Sequence, residues 1–125
     1  MMEKLVIEET KNSPYFLFDP STGYFGITGK SFPENARKVY TPVFEWLKLY
    51  NPDSSTKIHL VIQLHYISSS SLINLLELVK RFCSYRENGV DLILSWHYDE
   101  DDEDMKKVGE DFMKIVDFQF DMVED

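Results

Sequence analysis

Hydrophobic and polar positions alternate strictly in two stretches of the chain. From Lys57 to Tyr66, residues Ile58, Leu60, Ile62, Leu64 and Tyr66 fall on one side, and Lys57, His59, Val61, Gln63 and His65 on the other. From Val90 to Tyr98, residues Val90, Leu92, Leu94 and Trp96 oppose Asp91, Ile93, Ser95 and His97. A period of two predicts strands with one buried face. Between them the apolar spacing becomes helical, with Leu72, Leu75, Leu76, Val79 and Cys83 inward. Lys80, Arg81 and Arg86 complement the dipole at that helix's C-terminal end, and Asn88-Gly89 stops it.

The flanking segments follow the same logic. Glu3 to Thr10, with Leu5 and Ile7 on one face, predicts a first strand whose pattern continues through Phe16 and Phe18. Asp19-Pro20-Ser21-Thr22-Gly23 is turn chemistry, and Tyr24 to Thr28 returns as the second arm of a hairpin. A helix then carries Ala36, Val39, Tyr40, Val43 and Leu47 on one face, with Ser31 or Phe32 near its cap and Pro33 at its first position. Pro42 lies inside this pattern and is expected to kink or restart the helix. Met105, Val108, Phe112 and Ile115 or Val116 mark a third helix, and Phe118, Phe120 and Met122 a short last strand. The order is β-β-α-β-α-β-α-β in an α/β fold. It implies a mixed sheet of about five strands with helices mainly on one face. The unit Lys57 to Tyr98 makes its two strands parallel, so their C-terminal ends share one rim.

Two unusual runs leave that rim. Four serines, Ser68 to Ser71, separate the first of these strands from the helix that opens at Leu72. Six carboxylates, Asp99-Glu100-Asp101-Asp102-Glu103-Asp104, follow the second. A helix N-terminus presents unbonded N–H groups and the positive end of the dipole, which stabilise an anion, including a phosphate esterified to a serine. One serine suffices for a cap, and four leave spare hydroxyls. Acids at the start of the third helix suit its dipole. They also form a surface on which Asp99, Glu100, Asp101, Asp102 and Asp104 would meet a basic partner.

Composition narrows the function classes. At 125 residues, 43% hydrophobic and 14% aromatic, the chain fits one folded domain spanning residues 1–125, without internal repeat or linker. Its net charge of −9 argues against nucleic acid and against anionic membrane surfaces, since both require clustered Lys and Arg. The lone Cys83 builds no disulfide and no thiolate metal site within one chain. Met1 to Glu8 has no apolar stretch of signal-peptide length, so the expected location is the cytoplasm. His59, His65 and His97 all fall on the less apolar strand faces, which leaves a metal-dependent enzyme as one alternative. No Gly-rich phosphate loop, nucleophile elbow or metalloprotease spacing accompanies them, so no cofactor is expected and catalysis is disfavoured. Tyr40, Phe44, Trp46, Tyr50 and Trp96 are core or core-rim positions by spacing.

Several pieces of the chain, taken in order, resemble the SiaC family of small bacterial regulatory phosphoproteins. They are Phe18-Asp19-Pro20, Gly23, Gly29-Lys30-Ser31-Phe32-Pro33-Glu34-Asn35-Ala36, Tyr40, Pro42 and Trp46-Leu47. The serine run after Tyr66 belongs with them, as do Trp96-His97-Tyr98, Glu100, Asp102, Asp104-Met105, Gly109 and Phe112. The resemblance covers about Leu5 to Val123. It implies a STAS-like fold, similar to anti-sigma-factor antagonists. It further implies a non-enzymatic protein phosphorylated by a partner kinase of anti-sigma-factor type and dephosphorylated by a PP2C-type phosphatase. The unmodified form is implied to stimulate a diguanylate cyclase, raising cyclic-di-GMP and favouring biofilm. The family motif, roughly aromatic-x-Asn-Thr-Ser-Ser-small-Lys, falls on Tyr66-Ile67-Ser68-Ser69-Ser70-Ser71-Leu72-Ile73. It places the phosphosite on Ser69, with Ser68 in place of the asparagine and Ile73 in place of the lysine. The alternative is a constitutive protein-binding module in which the serines only cap.

Overall fold

Strand β4 (Lys57–Ile67) is the spine of the computed structural model, which describes residues 2–125. Ile58, Leu60, Ile62 and Leu64 are buried on one of its faces, as the alternation requires. Each fully buried side chain of this size contributes about 1.5–3 kcal/mol, so a one-residue slip, which would turn all four outward, is strongly disfavoured. On one side β4 pairs in parallel with β3 (Tyr24–Ser31), and on the other with β5 (Asp91–Tyr98). Beyond β5 lies parallel β6 (Asp121–Glu124). Beyond β3 lie antiparallel β2 (Tyr15–Asp19) and β1 (Leu5–Ile7), giving one sheet in the order β1-β2-β3-β4-β5-β6.

The sheet therefore has six strands rather than about five. What reads as one long first strand is two short ones, and the chain between them turns. The Thr10 amide donates to the Ser13 carbonyl at 3.1 Å, and Thr10 Oγ1 accepts from the Ser13 amide at 3.0 Å. Polar residues ahead of Pro14 supply this break. The β2–β3 hairpin closes as expected through Gly23 at φ +79°, where an added Cβ would lie 2.7 Å from the Lys57 carbonyl oxygen.

Three α-helices connect the parallel strands: α1 (Ala36–Leu49), α2 (Ser69–Ser84) and α3 (Glu103–Val116). Consecutive helices touch, α1 on α2 and α2 on α3, and all three cover the same sheet face. Phe18, Phe25 and Phe82 pack edge-on or tilted, with centroids 5.3–5.5 Å apart, at the heart of that layer. The opposite face carries Val61, Gln63, Ser95 and all three histidines.

Several boundaries differ from the sequence pattern. Helix α1 is capped by Asn35, whose Oδ1 accepts the Lys38 amide at 3.1 Å, not by Ser31 or Phe32. It runs through Pro42 without restarting; the carbonyl that Pro42 leaves without its helical donor belongs to Lys38, an exposed residue. Helix α2 begins three residues before Leu72 and buries Leu78 and Phe82, with Leu72, Leu76 and Cys83 only partly covered. Ile115 is exposed, leaving Val116 to pack. The last strand starts after Phe120, which is itself buried.

Candidate functional site

Residues at the C-terminal ends of β3, β4 and β5 form the site. The β3–β4 register shifts there, from Gly29 opposite Leu64 to Lys30 opposite Tyr66, leaving His65 as the extra residue of a bulge. The bulge turns Tyr66 out of the inward set in which strict alternation places it, and Tyr66 is 54% exposed. Its ring meets that of exposed Phe32 edge-on, with centroids 5.5 Å apart.

The four serines that follow divide into distinct roles. Ser68 is the N-cap of α2: its Oγ accepts the Ser71 amide at 3.3 Å, while its own amide donates to the Ser31 carbonyl at 2.8 Å. Ser71 is fully buried, and its Oγ accepts a hydrogen bond from Ser31 Oγ at 2.8 Å. Having spent its proton there, Ser31 accepts from the Tyr40 hydroxyl at 2.9 Å. Burial pushes the Tyr40 phenol above its usual pKa, and the bond to Ser31 offsets this in part, so the group remains a donor. Ser69 and Ser70 are exposed in the first turn of a 16-residue helix. Ser70 Oγ lies 3.4 Å from Ser68 Oγ, whereas the Ser69 hydroxyl has no hydrogen-bond partner among the described residues.

The acidic run shares this rim. His65, four residues before Ser69, has its Nδ1 3.3 Å from Asp99 Oδ2, which ties the end of β4 to the start of the run. Asp102 caps α3, accepting the Met105 amide at 3.0 Å, and Glu103 and Asp104 occupy the first turn. These three therefore serve the helix dipole. Glu100 and Asp101 are exposed, and Asp99 is half-buried.

The histidines share a sheet face but not a site. His59 Nε2 lies 2.8 Å from Ser95 Oγ, and His97 Nδ1 lies 2.9 Å from Asp125 Oδ1. Asp125 also accepts from Gln63 Nε2 at 3.0 Å. Among the described residues, no group of three His, Cys, Asp or Glu side chains is placed to hold a metal ion. Cys83 is half-buried, and burial pushes its thiol up to about 11, which keeps it protonated. A surface depression of about 620 Å3 is lined by Lys107, Glu110, Asp111, Met113 and Lys114 of α3 and by Asp117–Gln119, and includes no serine or histidine. What sequence reasoning misses is the Tyr40–Ser31–Ser71 hydroxyl chain. No spacing rule links positions 40 residues apart before the strand pairing is known.

A family model described as SiaC family regulatory phosphoprotein matches residues 7–125. The chain belongs to the SiaC family. Among SiaC proteins, the apo-SiaC structure from Pseudomonas aeruginosa shares the fold with a TM-score of 0.83. It is 24% identical, and 98% of each chain is covered. SiaC from the same organism, in complex with the diguanylate cyclase SiaD that it activates, gives a TM-score of 0.86 at 25% identity. Coverage is 97% of this chain and 99% of that one. An uncharacterized protein of P. aeruginosa strain UCBPP-PA14 is 26% identical over 119 residues, spanning 95% of this chain and 94% of the relative. The six-stranded sheet and three helices are thus the SiaC arrangement.

Proposed function

We propose that this protein is a non-enzymatic switch, controlled by reversible phosphorylation of Ser69, that regulates a diguanylate cyclase in the cytoplasm. The observation that carries the reading is the division of labour in the serine run. Ser68 caps, Ser71 is buried, and Ser69 stands exposed with a free hydroxyl at the positive end of α2. A phosphate there adds about −1.5 to −2 charges to a rim already carrying Asp99, Glu100 and Asp101. The free protein tolerates it at the helix N-terminus. An interface that must desolvate it, beside carboxylates of like charge, does not.

Modification thus releases a partner without unfolding the protein. Membership of a family of regulatory phosphoproteins, and the binding of the Pseudomonas SiaC to SiaD, support the choice of partner. The one-sided helical layer on a largely parallel sheet is the basis for a STAS-like partner-switching reading. In that reading a kinase of anti-sigma-factor type writes the mark and a PP2C-type phosphatase removes it. Biofilm formation would follow from the cyclic-di-GMP output. The competing reading, a constitutive binding module, draws on the capping bond of Ser68 and the burial of Ser71, which give two of the four serines structural work.

The test has two parts. Intact-mass measurement with site localisation on protein from its native host should find a phosphorylated form at Ser69. Binding to the host's purified diguanylate cyclases should survive Ser69→Ala and fail with Ser69→Asp; equal binding by the two variants refutes the switch.

A further inference from the structure

Monomeric proteins rarely group large apolar side chains on their surface without a use. Here three such side chains frame the serine end of α2. Phe32 and Tyr66, 41% and 54% exposed, hold each other edge-on. Phe32 directly follows Ser31, whose carbonyl accepts the Ser68 amide and whose hydroxyl meets Ser71, so the aromatic pair adjoins the first turn of α2. Ile73, 67% exposed, lies one helical turn after Ser69 and on the same helix face. On the other flank, Tyr66 follows His65, which contacts Asp99 at 3.3 Å, and beyond it stand exposed Glu100 and Asp101. The surface therefore carries apolar side chains about Ser69 and carboxylates along the β5 edge, with exposed Lys30 opposite Tyr66 on β3.

We propose that Phe32, Tyr66 and Ile73 are the anchor of the docking surface around Ser69, and that they receive a protein segment apolar on one side and basic beside it. The occupant's chemistry follows from charge: an acidic edge on a chain of net charge −9 selects Lys and Arg and repels acidic segments. Aromatic anchors supply affinity, while exposed charges tune encounter and salt dependence. Ser69 sits inside this frame, so a phosphate there is placed where the partner's apolar side must approach. The inference rests on the proposed cyclase-binding function and specifies its surface.

The test is titration of the full-length protein against the purified diguanylate cyclases of the source organism, at about 50 mM and about 500 mM NaCl. Compared are the wild type, Ser69→Asp, Ile73→Ser, the double variant Phe32→Ser/Tyr66→Ser, and Ile93→Ser. Ile93 is an exposed position on the open sheet face. The expected result is binding weakened by about tenfold or more in Ile73→Ser and in the double variant, unchanged affinity in Ile93→Ser, and weaker wild-type binding at high salt. Thermal melts accompany each titration; should the double variant melt early, Ile73→Ser decides, because its side chain is largely exposed. Wild-type-like affinity in Ile73→Ser, or loss of binding in Ile93→Ser instead, overturns the proposed surface while leaving the switch intact. If no cyclase binds the wild type, the functional reading fails and this inference fails with it.

Discussion

Ser31 and Ser71 share a hydrogen bond of 2.8 Å between side chains that are both fully buried. The bond joins the last residue of β3 to the first turn of α2, and Tyr40 extends it to α1. Three elements are thereby fixed at the point where Ser69 is displayed. Ser69 is thus held in place by its surroundings although its own hydroxyl makes no internal bond among the described residues.

Removing the Ser71 hydroxyl should reveal what this base contributes. Ser71→Ala leaves the buried Ser31 donor without its acceptor, at a cost of about 1–3 kcal/mol. Urea denaturation should show a lower midpoint with an unchanged slope. Ser70→Ala, at an exposed position, should stay within about 0.5 kcal/mol of the wild type. Equal losses in both variants would mean that the buried hydroxyl chain does not hold the site.

A negative charge at Ser69 should leave the fold intact. The first turn of α2 contains no acidic residue, so its dipole is uncompensated there. Ser69→Asp is expected to raise stability slightly, by about 0.3–1 kcal/mol at low ionic strength, with the gain shrinking as salt is added. Thermal melts at two salt concentrations check this. A clear fall in Tm would show that a negative charge at this position unfolds the helix.

Gly109 illustrates close packing in α3. A Cβ built there would lie 2.6 Å from Trp96 Cδ1, and Trp96 is fully buried with its Nε1–H donating to the Met105 carbonyl at 3.0 Å. Alanine favours a helix more than glycine by about 1 kcal/mol. The clash with an immobile indole outweighs that gain. Gly109→Ala should destabilise by about 1–3 kcal/mol and alter Trp96 fluorescence. A stabilised variant would show that the α3–β5 contact has room to spare.

Much of this arrangement is legible in the sequence where one periodicity acts alone. Strands β4 and β5 and the inward faces of α1 and α3 follow from spacing, because burial of one face dominates their energetics. The rim is less legible. The bulge at His65 interrupts alternation and exposes Tyr66, and nothing in the local pattern announces a register shift set by the neighbouring strand. Apolar periodicity opens α2 only at Leu72, three residues late, because it is silent over a run of serines. There the helix is defined instead by the Ser68 cap. The split of the first strand was hidden for the opposite reason: Leu5, Ile7, Phe16 and Phe18 share an apolar pattern although a turn divides them. Ser69 stands out by residue type and position, and the fold supplies what sequence does not, namely that Ser68 is engaged as a cap and Ser71 is buried while Ser69 is exposed.

Acid should loosen β6 through one carboxylate. The Asp125 backbone amide donates to the Tyr98 carbonyl at 2.8 Å, and its carboxylate meets His97 at 2.9 Å and Gln63 at 3.0 Å. The bond with His97 is the largest cause of a pKa held below 3.8; slight burial opposes it, and Gln63 adds to it. A carboxyl whose pKa is lower folded than unfolded stabilises the fold above its unfolded value, and that contribution disappears as the pH falls through the folded value. The loss therefore falls below about pH 4, not near neutrality. Asp19 and Asp53 are also held low, by bonds from Ser21 and Ser55, and contribute the same trend in any variant that keeps them. Asp125→Asn removes only the Asp125 share. It should be slightly less stable than the wild type at pH 7 and lose less stability between about pH 5 and about pH 3. Hydrogen exchange at the β6 amides should report the same difference locally. Parallel acid profiles for the two proteins would show that the His97–Asp125 contact carries no free energy in solution.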